Sequence, residues 1–300
     1  LEDRRHITYA LSQNVEWIGV SYVQAAGDLI RIRELFPAHG PTPLLMAKIE
    51  KRQALAALDE IIDAADGVMV ARGDLGVETD LAEIPMVQKR IIALANAKAR
   101  PVITATQMVE SMVKEERPTR AEVTDVANAS LDGTAAVMLS AETAIGQFPV
   151  AAAEMLQRVL TATEFETATR IAHDRLHLNG STSTQDTVSF VACQLAIRLH
   201  AKAIIAPASD LAAALAIARF RPSAPLLIVA ESEGVCHALA AVWGVSPVPM
   251  PPNAGPKTFV SVARQWLLAR QLARPGDTLV ILSASDSSSV SADVLQVGQV

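Results

Sequence analysis

Short apolar runs that end in polar residues alternate with helical patterns through the first half of this chain. Five such runs occupy residues 15–20, 43–47, 67–70, 101–103 and 135–139. The segments between them carry apolar residues at helical spacing, so each run reads as a strand that leads into a helix. This alternation predicts a parallel sheet with right-handed helical crossovers.

The number of strands and a second alternating region predict the domain organisation. Five βα units are recognisable, whereas a closed (β/α) barrel needs eight. A polar stretch at residues 177–185 precedes three more strand-like runs, at residues 202–205, 225–229 and 278–282, with helical patterns near 186–199, 210–220, 232–241 and 257–272. We therefore expect an α/β chain with a partial TIM barrel over residues 1–176 and a smaller α/β domain over residues 177–300.

Composition excludes several classes of protein. With 50% hydrophobic and 19% charged residues, the chain has the balance of a soluble protein with a substantial core. The formal net charge of -6 argues against broad binding to nucleic acid. Two cysteines are too few for a disulfide framework, and no apolar run is long enough to span a membrane, so we expect a cytoplasmic protein. The chain begins at Leu1 rather than Met, as a piece of a longer protein would.

Polar residues at the strand ends are the candidate catalytic, metal-binding and anion-binding residues. Barrels built from βα units place their reacting groups at the carboxyl ends of the strands. Glu50 and Asp74 lie at two such ends and offer the oxygen ligands with which Mg²⁺ is usually held. Exposed loop acids would be the simpler interpretation of both. Gly73 and Gly76 bracket Asp74 in a turn that can form an anion-binding nest at a helix start, or are tight-turn glycines without a ligand.

The remaining strand-end residues supply a cation and hydroxyl groups. Lys48 lies two residues before Glu50 and leaves the same face of its strand, where an ammonium can stabilise an enolate and a phosphoryl group in transfer. A salt bridge with Glu50 or Asp74 is the alternative. Thr106, Ser140 and Glu142 are suited to orienting a carboxylate, a water or a proton-relay partner, and helix capping is the alternative role.

Two other patterns have a structural interpretation. Thr119, with Glu122 three residues later, predicts a capping box that begins a helix. The six histidines are scattered without metal-ligand spacing or a nucleophilic partner, so a histidine-based triad has little support.

Five segments carry a resemblance to a known family, at residues 47–50, 66–76, 105–112, 117–122 and 138–143. Their order and residues resemble the pyruvate kinases over nearly the whole chain. The resemblance implies that Lys48 is the catalytic cation and that Glu50 and Asp74 bind Mg²⁺ or Mn²⁺. It also implies that the backbone at Gly73 and Asp74 holds the substrate carboxylate and that Thr106 binds substrate. Ser140 and Glu142 would then serve substrate positioning or proton delivery.

The resemblance also implies a reaction and partners. Pyruvate kinases transfer a phosphoryl group from phosphoenolpyruvate to ADP, which gives ATP and an enolate that is protonated to pyruvate. Neither a nucleic acid nor a membrane is an expected partner, and a homotetramer is the expected assembly. The stretch at residues 207–212 carries an acid and no arginine, so a doubly phosphorylated sugar should bind poorly as an effector, while residues 283–289 leave room for another small anion.

The family pattern is incomplete at the beginning of the chain. Family members carry three more barrel strands and a lid domain upstream, which supply part of the nucleotide site and the ligands for K⁺. A five-stranded open sheet would leave two unpaired edges. We therefore expect either a fragment or one half of a split enzyme, with little activity alone.

Two other functions stay open. One is a noncatalytic regulatory or assembly module, which the missing motifs favour. The other is a different enolate-handling barrel enzyme, which would not need residues 117–122, a subunit contact in pyruvate kinases.

Overall fold

The computed structural model describes residues 2–38, 42–174, 183–251, 258–283 and 294–300, with the backbone alone over 167–174. The chain divides into two compact units, residues 1–165 and 166–300. The predicted domain boundary after residue 176 lies outside the described residues and stays a prediction. His39 and His177 also lie outside them, as do residues 284–289 of the predicted small-anion stretch and the side chain of His173.

The first unit contains one sheet of five parallel strands in chain order. The strands are β1 (Trp17–Val20), β2 (Leu44–Ile49), β3 (Gly67–Ala71), β4 (Val102–Ala105) and β5 (Ala136–Met138). Each strand pairs in parallel with the next, which confirms the predicted sheet. Because parallel strands end at one edge of the sheet, the residues after β2, β3, β4 and β5 meet there.

Helices precede, connect and follow these strands. They are α1 (Glu2–Ser12), α2 (Ala26–Arg33), α3 (Arg52–Ala56), α4 (Leu58–Ala64), α5 (Arg72–Glu78), α6 (Ile84–Ala97), α7 (Arg120–Asp132), α8 (Ala141–Ala144) and α9 (Pro149–Asp174), with a 3₁₀ turn at Glu110–Val113. The expected capping box begins α7, since the Thr119 hydroxyl accepts the N–H of Glu122. At the end of α7, Gly133 adopts φ = 108°, a conformation that glycine reaches without a side-chain clash.

The two faces of this sheet are packed unequally. The face toward the helices belongs to a large core that includes Leu45, Ile49 and Val70, all fully buried, with apolar residues of α4 and α6. The opposite face holds a small cluster with three buried residues (Met46, Met69 and Ala105) and three partly buried ones (Trp17, Ile103 and Met138). The helix side therefore supplies most of the apolar burial in this unit.

The second unit contains a mixed five-stranded sheet in the order β10-β9-β6-β7-β8. Its strands are β6 (Ala203–Ala208), β7 (Leu226–Ala230), β8 (Val245–Pro249), β9 (Thr278–Ser283) and β10 (Val294–Gln299), and its helices are α10 (Thr184–Arg198), α11 (Ala212–Ala218), α12 (Glu233–Leu239) and α13 (Phe259–Ala269). Of the strands that the structure describes in this unit, only β10 is antiparallel to its neighbour. The α/β class is confirmed, but the strands β8 and β10 were not predicted.

None of the helices in the described ranges combines the length and apolar character needed to cross a membrane.

Candidate active site

Lys48 and Glu50 form an ion pair at the end of β2. Lys48 Nζ lies 2.6 Å from Glu50 Oε1 and donates to Ser21 Oγ at 2.8 Å. Glu50 is 1% exposed, and its Oε2 accepts the backbone N–H of Tyr22 at 2.7 Å. Ser21 and Tyr22 follow β1, so two neighbouring strand ends hold this pair together. The salt bridge considered as an alternative for Lys48 is therefore present.

Gly73, Asp74 and Thr106 occupy the next two strand ends. The N–H of Gly73 donates to Thr106 Oγ1 at 2.7 Å, and the Thr106 hydroxyl donates to the carbonyl of Ala105 at 2.6 Å. A Cβ atom on residue 73 would lie 3.3 Å from Thr106 Oγ1, so this close approach favours glycine. Asp74 is exposed in the first turn of α5.

The segment around Asp74, where an anion site at a helix start is expected, is helical. Gly76 lies within α5, and neither Gly73 nor Gly76 is among the residues with positive φ. The N–H of Gly73 also already has an acceptor in Thr106. The segment 72–78 is therefore the short helix α5, with Gly73 and Asp74 in its first turn, and anion binding there stays a prediction.

Ser140 and Glu142 lie after β5, and their contacts are structural. Glu142 is fully buried, with Oε1 accepting the N–H of Val109 at 3.2 Å and Oε2 accepting the N–H of Ser140 at 2.8 Å. Glu142 thereby joins the segment after β4 to the end of β5. Ser140 precedes α8 as its N-cap residue, although its side chain accepts no capping hydrogen bond. The catalytic roles expected for both residues stay predictions, and this geometry favours a supporting role for Glu142.

A second cation lies beside the ion pair of Lys48 and Glu50. Lys51 Nζ donates to Glu78 Oε1 at 2.7 Å and lies 5.1 Å from the ring centroid of Tyr22. The hydrogen bond to Glu78 raises the pKa of Lys51, and the charge of Asp74 acts in the same direction. The segments after β2 and β3 therefore carry two ammonium groups, those of Lys48 and Lys51, and at least three carboxylates, those of Glu50, Asp74 and Glu78.

Sequence reasoning missed Arg72, the first residue of α5, which is 8% exposed. Its guanidinium pairs with Asp125 of α7 at 2.5 Å and donates to the carbonyl oxygens of Thr106 and Gln107. The sequence offered one signal of its burial, because an arginine directly after an apolar run has to find several acceptors, but it did not show where those acceptors lie.

The carboxylate oxygens at this edge of the sheet are the type of ligand that Mg²⁺ prefers. Glu50 and Asp74 supply hard carboxylate oxygens, and Mg²⁺ usually takes one or two protein carboxylates with waters and substrate oxygens. In the described part of the chain, no group of three or more His, Cys, Asp or Glu side chains is placed to hold a metal. A divalent ion here would therefore depend on ligands beyond these side chains, and at Glu50 it would compete with Lys48 for the same carboxylate.

The two units match two family profiles. Residues 1–153 match the family described as "Pyruvate kinase, barrel domain", and residues 186–298 match "Pyruvate kinase, alpha/beta domain". The first match shows that the five-stranded parallel sheet is part of a barrel, as expected. The second shows that the mixed sheet belongs to the C-terminal domain of the same family.

Curated relatives agree with these profiles. The chain is 40% identical to "Pyruvate kinase" of Geobacillus stearothermophilus, over 93% of this chain and 48% of the relative. It is 39% identical to "Pyruvate kinase 2" of Synechocystis sp., over 99% of this chain and 50% of the relative. For "Pyruvate kinase" of Corynebacterium glutamicum the identity is 38%, over 95% of this chain and 59% of the relative. The chain thus spans about half the length of the curated relatives it matches.

Proposed function

Because the chain belongs to the pyruvate kinase family, we propose that it supplies Lys48, Glu50, Asp74 and Thr106 to an enzyme that transfers phosphoryl from phosphoenolpyruvate to ADP. The products are pyruvate and ATP, as in glycolysis. The observation that carries this proposal is the ion pair of half-buried Lys48 with buried Glu50 at the strand edge that also holds Thr106 and Asp74. Transfer of phosphoryl from an enol phosphate develops negative charge on oxygen, and an ammonium fixed at this edge stabilises such charge.

Each residue has a role in this proposal. Glu50 and Asp74 hold Mg²⁺ or Mn²⁺, which neutralises charge on the phosphoryl and enolate oxygens when it is bound. Glu50 and Ser21 hold the ammonium of Lys48 in place, so its orientation does not depend on the substrate. Thr106 and the backbone at Gly73 and Asp74 orient the substrate carboxylate. Ser140 and Glu142 support this edge or assist protonation of the enolate.

The site needs more chain to become active. Five of the eight βα units of a barrel are present, and the relatives are about twice as long as this chain. We propose that the nucleotide contacts and the K⁺ ligands lie in the missing part, and that this chain alone has little activity. The assembled enzyme is a cytoplasmic homo-oligomer, which agrees with two free cysteines.

A fused protein tests this function. The chain is joined behind the N-terminal half of the Geobacillus stearothermophilus relative, and pyruvate formation is measured with phosphoenolpyruvate, ADP, Mg²⁺ and K⁺. We expect the fused protein to be active and the isolated chain to be nearly inactive. Lys48→Met should lower kcat by about 10³-fold or more, since it removes the fixed charge. The exposed Lys114→Met is the matched control and should change kcat little.

Two results would contradict the proposal. An isolated chain that makes pyruvate at an ordinary enzymatic rate would show that no further strands are needed. A fused protein that folds and binds phosphoenolpyruvate but turns nothing over would favour the noncatalytic module. The family's phosphate-site arginine and K⁺-site motifs, which this sequence does not contain, speak for this second function.

A further inference from the structure

Arg72 is buried at the end of β3 and directs its guanidinium toward the end of β4. It is 8% exposed, and Nη2 donates to the carbonyl of Thr106 at 2.7 Å and to the carbonyl of Gln107 at 3.0 Å. Nε lies 3.2 Å from the same Thr106 carbonyl. The planar guanidinium therefore holds two consecutive carbonyl oxygens at once, which the point charge of a lysine does not do.

Those two residues have an unusual backbone conformation. Thr106 adopts φ = 68° and Gln107 adopts φ = 53°, so both lie in the left-handed region. A branched residue such as threonine is rarely found there, and the conformation persists only where surrounding contacts impose it. The hydrogen bonds from Arg72 are such contacts, because they are made to the carbonyls of the two left-handed residues.

The left-handed turn decides where the Thr106 hydroxyl lies. In this conformation Oγ1 accepts the N–H of Gly73 at 2.7 Å, which joins the end of β4 to the beginning of α5. With an ordinary backbone at residues 106 and 107, the Thr106 side chain would leave β4 in a different direction. Placement of the hydroxyl therefore depends on contacts made one residue before Gly73.

We propose that Arg72 is a positioning residue, which acts by holding Thr106 and Gln107 in the left-handed conformation that sets the Thr106 hydroxyl against Gly73. The inference rests on the proposed function for its catalytic consequence. The effect of Arg72 on the backbone of Thr106 and Gln107 does not depend on that function and concerns this chain alone.

The ion pair with Asp125 gives Arg72 a second attachment. Asp125 Oδ2 lies 2.5 Å from Nη1, and its side chain is 37% exposed. This contact anchors the guanidinium to α7 from the side away from Thr106. If Arg72 served stability alone, its contribution would come from this ion pair and from burial. Replacing it would then speed hydrogen exchange evenly through the unit.

Hydrogen exchange at the Gly73 amide tests the proposal without substrate or turnover. The isolated chain is compared with Arg72→Lys, with exchange measured at Gly73 and at amides of β3 as the internal reference. We expect Arg72→Lys to speed exchange at Gly73 by about tenfold relative to β3, because its acceptor is no longer fixed. Arg33→Lys is the matched control, since Arg33 likewise donates to a carboxylate and a carbonyl, those of Asp66 and Ala64. That control should leave the exchange at Gly73 unchanged relative to β3.

A rescue variant separates positioning from simple stability. Glycine reaches the left-handed region at little cost, so adding Gln107→Gly to Arg72→Lys should recover most of the protection at Gly73. Gln107 is exposed, which spares the core in this variant. In the fused protein the same series should raise the KM for phosphoenolpyruvate about tenfold and then restore it, with kcat less affected.

The outcomes distinguish the inference from the proposed function. Two results would overturn the positioning role. One is unchanged exchange at Gly73 in Arg72→Lys, and the other is a loss of protection at Gly73 that Gln107→Gly does not recover. Faster exchange at Gly73 in Arg72→Lys that Gln107→Gly reverses, in a fused protein without activity, would support the positioning role and count against the proposed function. If Arg72→Lys fails to fold, Gln107→Gly is made alone in the wild-type chain. It should then protect Gly73 at least as well as wild type, and a loss of protection would overturn the proposal.

Discussion

Glu142 illustrates how burial decides the role of a single residue. Its carboxylate is fully removed from solvent and accepts two backbone N–H groups, from Val109 and Ser140. A buried charge is tolerated when its oxygens are hydrogen-bonded in this way. Both oxygens are therefore committed to joining two loops, and neither is turned toward solvent. In this geometry Glu142 fixes the backbone of both loops at the edge of the site.

We predict that Glu142→Gln lowers the free energy of unfolding by about 1–3 kcal/mol, since the amide nitrogen then faces a backbone N–H donor. Urea denaturation of the isolated chain measures this. Ser140→Ala is the control, because Ser140 contributes its backbone N–H rather than its hydroxyl to this contact, and it should change stability by less than about 0.5 kcal/mol. A Glu142→Gln chain as stable as wild type, but inactive in the fused protein, would instead support the catalytic role.

At the scale of elements, the beginning of α7 depends on Glu122. Its Oε2 accepts the Thr119 N–H at 2.7 Å and the Ser111 hydroxyl at 2.6 Å, while Oε1 accepts the Ser111 N–H at 2.7 Å. One carboxylate thus caps α7 and ties it to the 3₁₀ turn before it. Partial burial alone would raise the pKa of Glu122, but the hydrogen bonds from Ser111 and Thr119 outweigh it and lower the pKa below its ordinary value of 4.5.

The lowered pKa predicts a dependence of stability on pH. A carboxyl group with a lower pKa in the folded state stabilises the fold above its unfolded pKa, and this stabilisation is lost as pH falls through the folded pKa. Glu122→Gln should therefore cost about 1 kcal/mol at pH 7, and the difference from wild type should shrink as the pH falls below about 4.5.

Urea titrations at pH 7, 5, 4 and 3 measure this difference in the free energy of unfolding. Glu110→Gln, a change at an exposed glutamate of the same 3₁₀ turn, is the control for general charge effects. A Glu122→Gln difference that stays constant across this pH range would show that the carboxylate charge is not what caps α7.

Whether a helix or strand can be predicted from sequence depends on whether its own residues or its neighbours in the fold stabilise it. The parallel sheet of the first unit and the α7 capping box were predicted because apolar runs and capping residues report local energetics. Strand β8 was missed because Pro247 and Pro249 interrupt its pattern, and prolines are tolerated there because β8 is an edge strand. Strand β10 was missed because it depends on antiparallel pairing with β9 rather than on its own residues.

In the candidate site, too, some contacts could be predicted from sequence and others could not. The positions of Lys48 and Glu50 on one face follow from strand periodicity, so their contact was within reach of sequence reasoning. The role of Arg72 was not, because its acceptors lie 34 and 35 residues away and adopt left-handed conformations that local propensity disfavours. Resemblance to the family supplied residue roles that spacing alone left open.

At the scale of the whole molecule, the first unit presents an unfinished sheet. Among the described residues, β1 and β5 each pair with one neighbour only. A groove of about 540 Å³ runs beside β5, lined by Val137 and Leu139 of the strand end and by Leu156 and Leu160 of α9. Unpaired strand edges next to an apolar groove are where a further strand adds. The sheet face with Met46, Met69 and Met138 is the side that a closed barrel would bury.

This asymmetry predicts that one substitution has different costs in the isolated chain and in a completed barrel. Met138 is partly buried on the thinly packed face, so Met138→Glu should lower the free energy of unfolding of the isolated chain by about 1 kcal/mol or less. In the fused protein the same carboxylate would be enclosed without a partner, at a cost of about 3–5 kcal/mol. Urea denaturation of both proteins measures the two values. Val150→Glu adds the same charge at an exposed position of α9 and should be tolerated in both.

Equal and severe destabilisation by Met138→Glu in both proteins would mean that this face is already covered in the isolated chain, by self-association for example. In that case three further βα units could not be what the open edges accept.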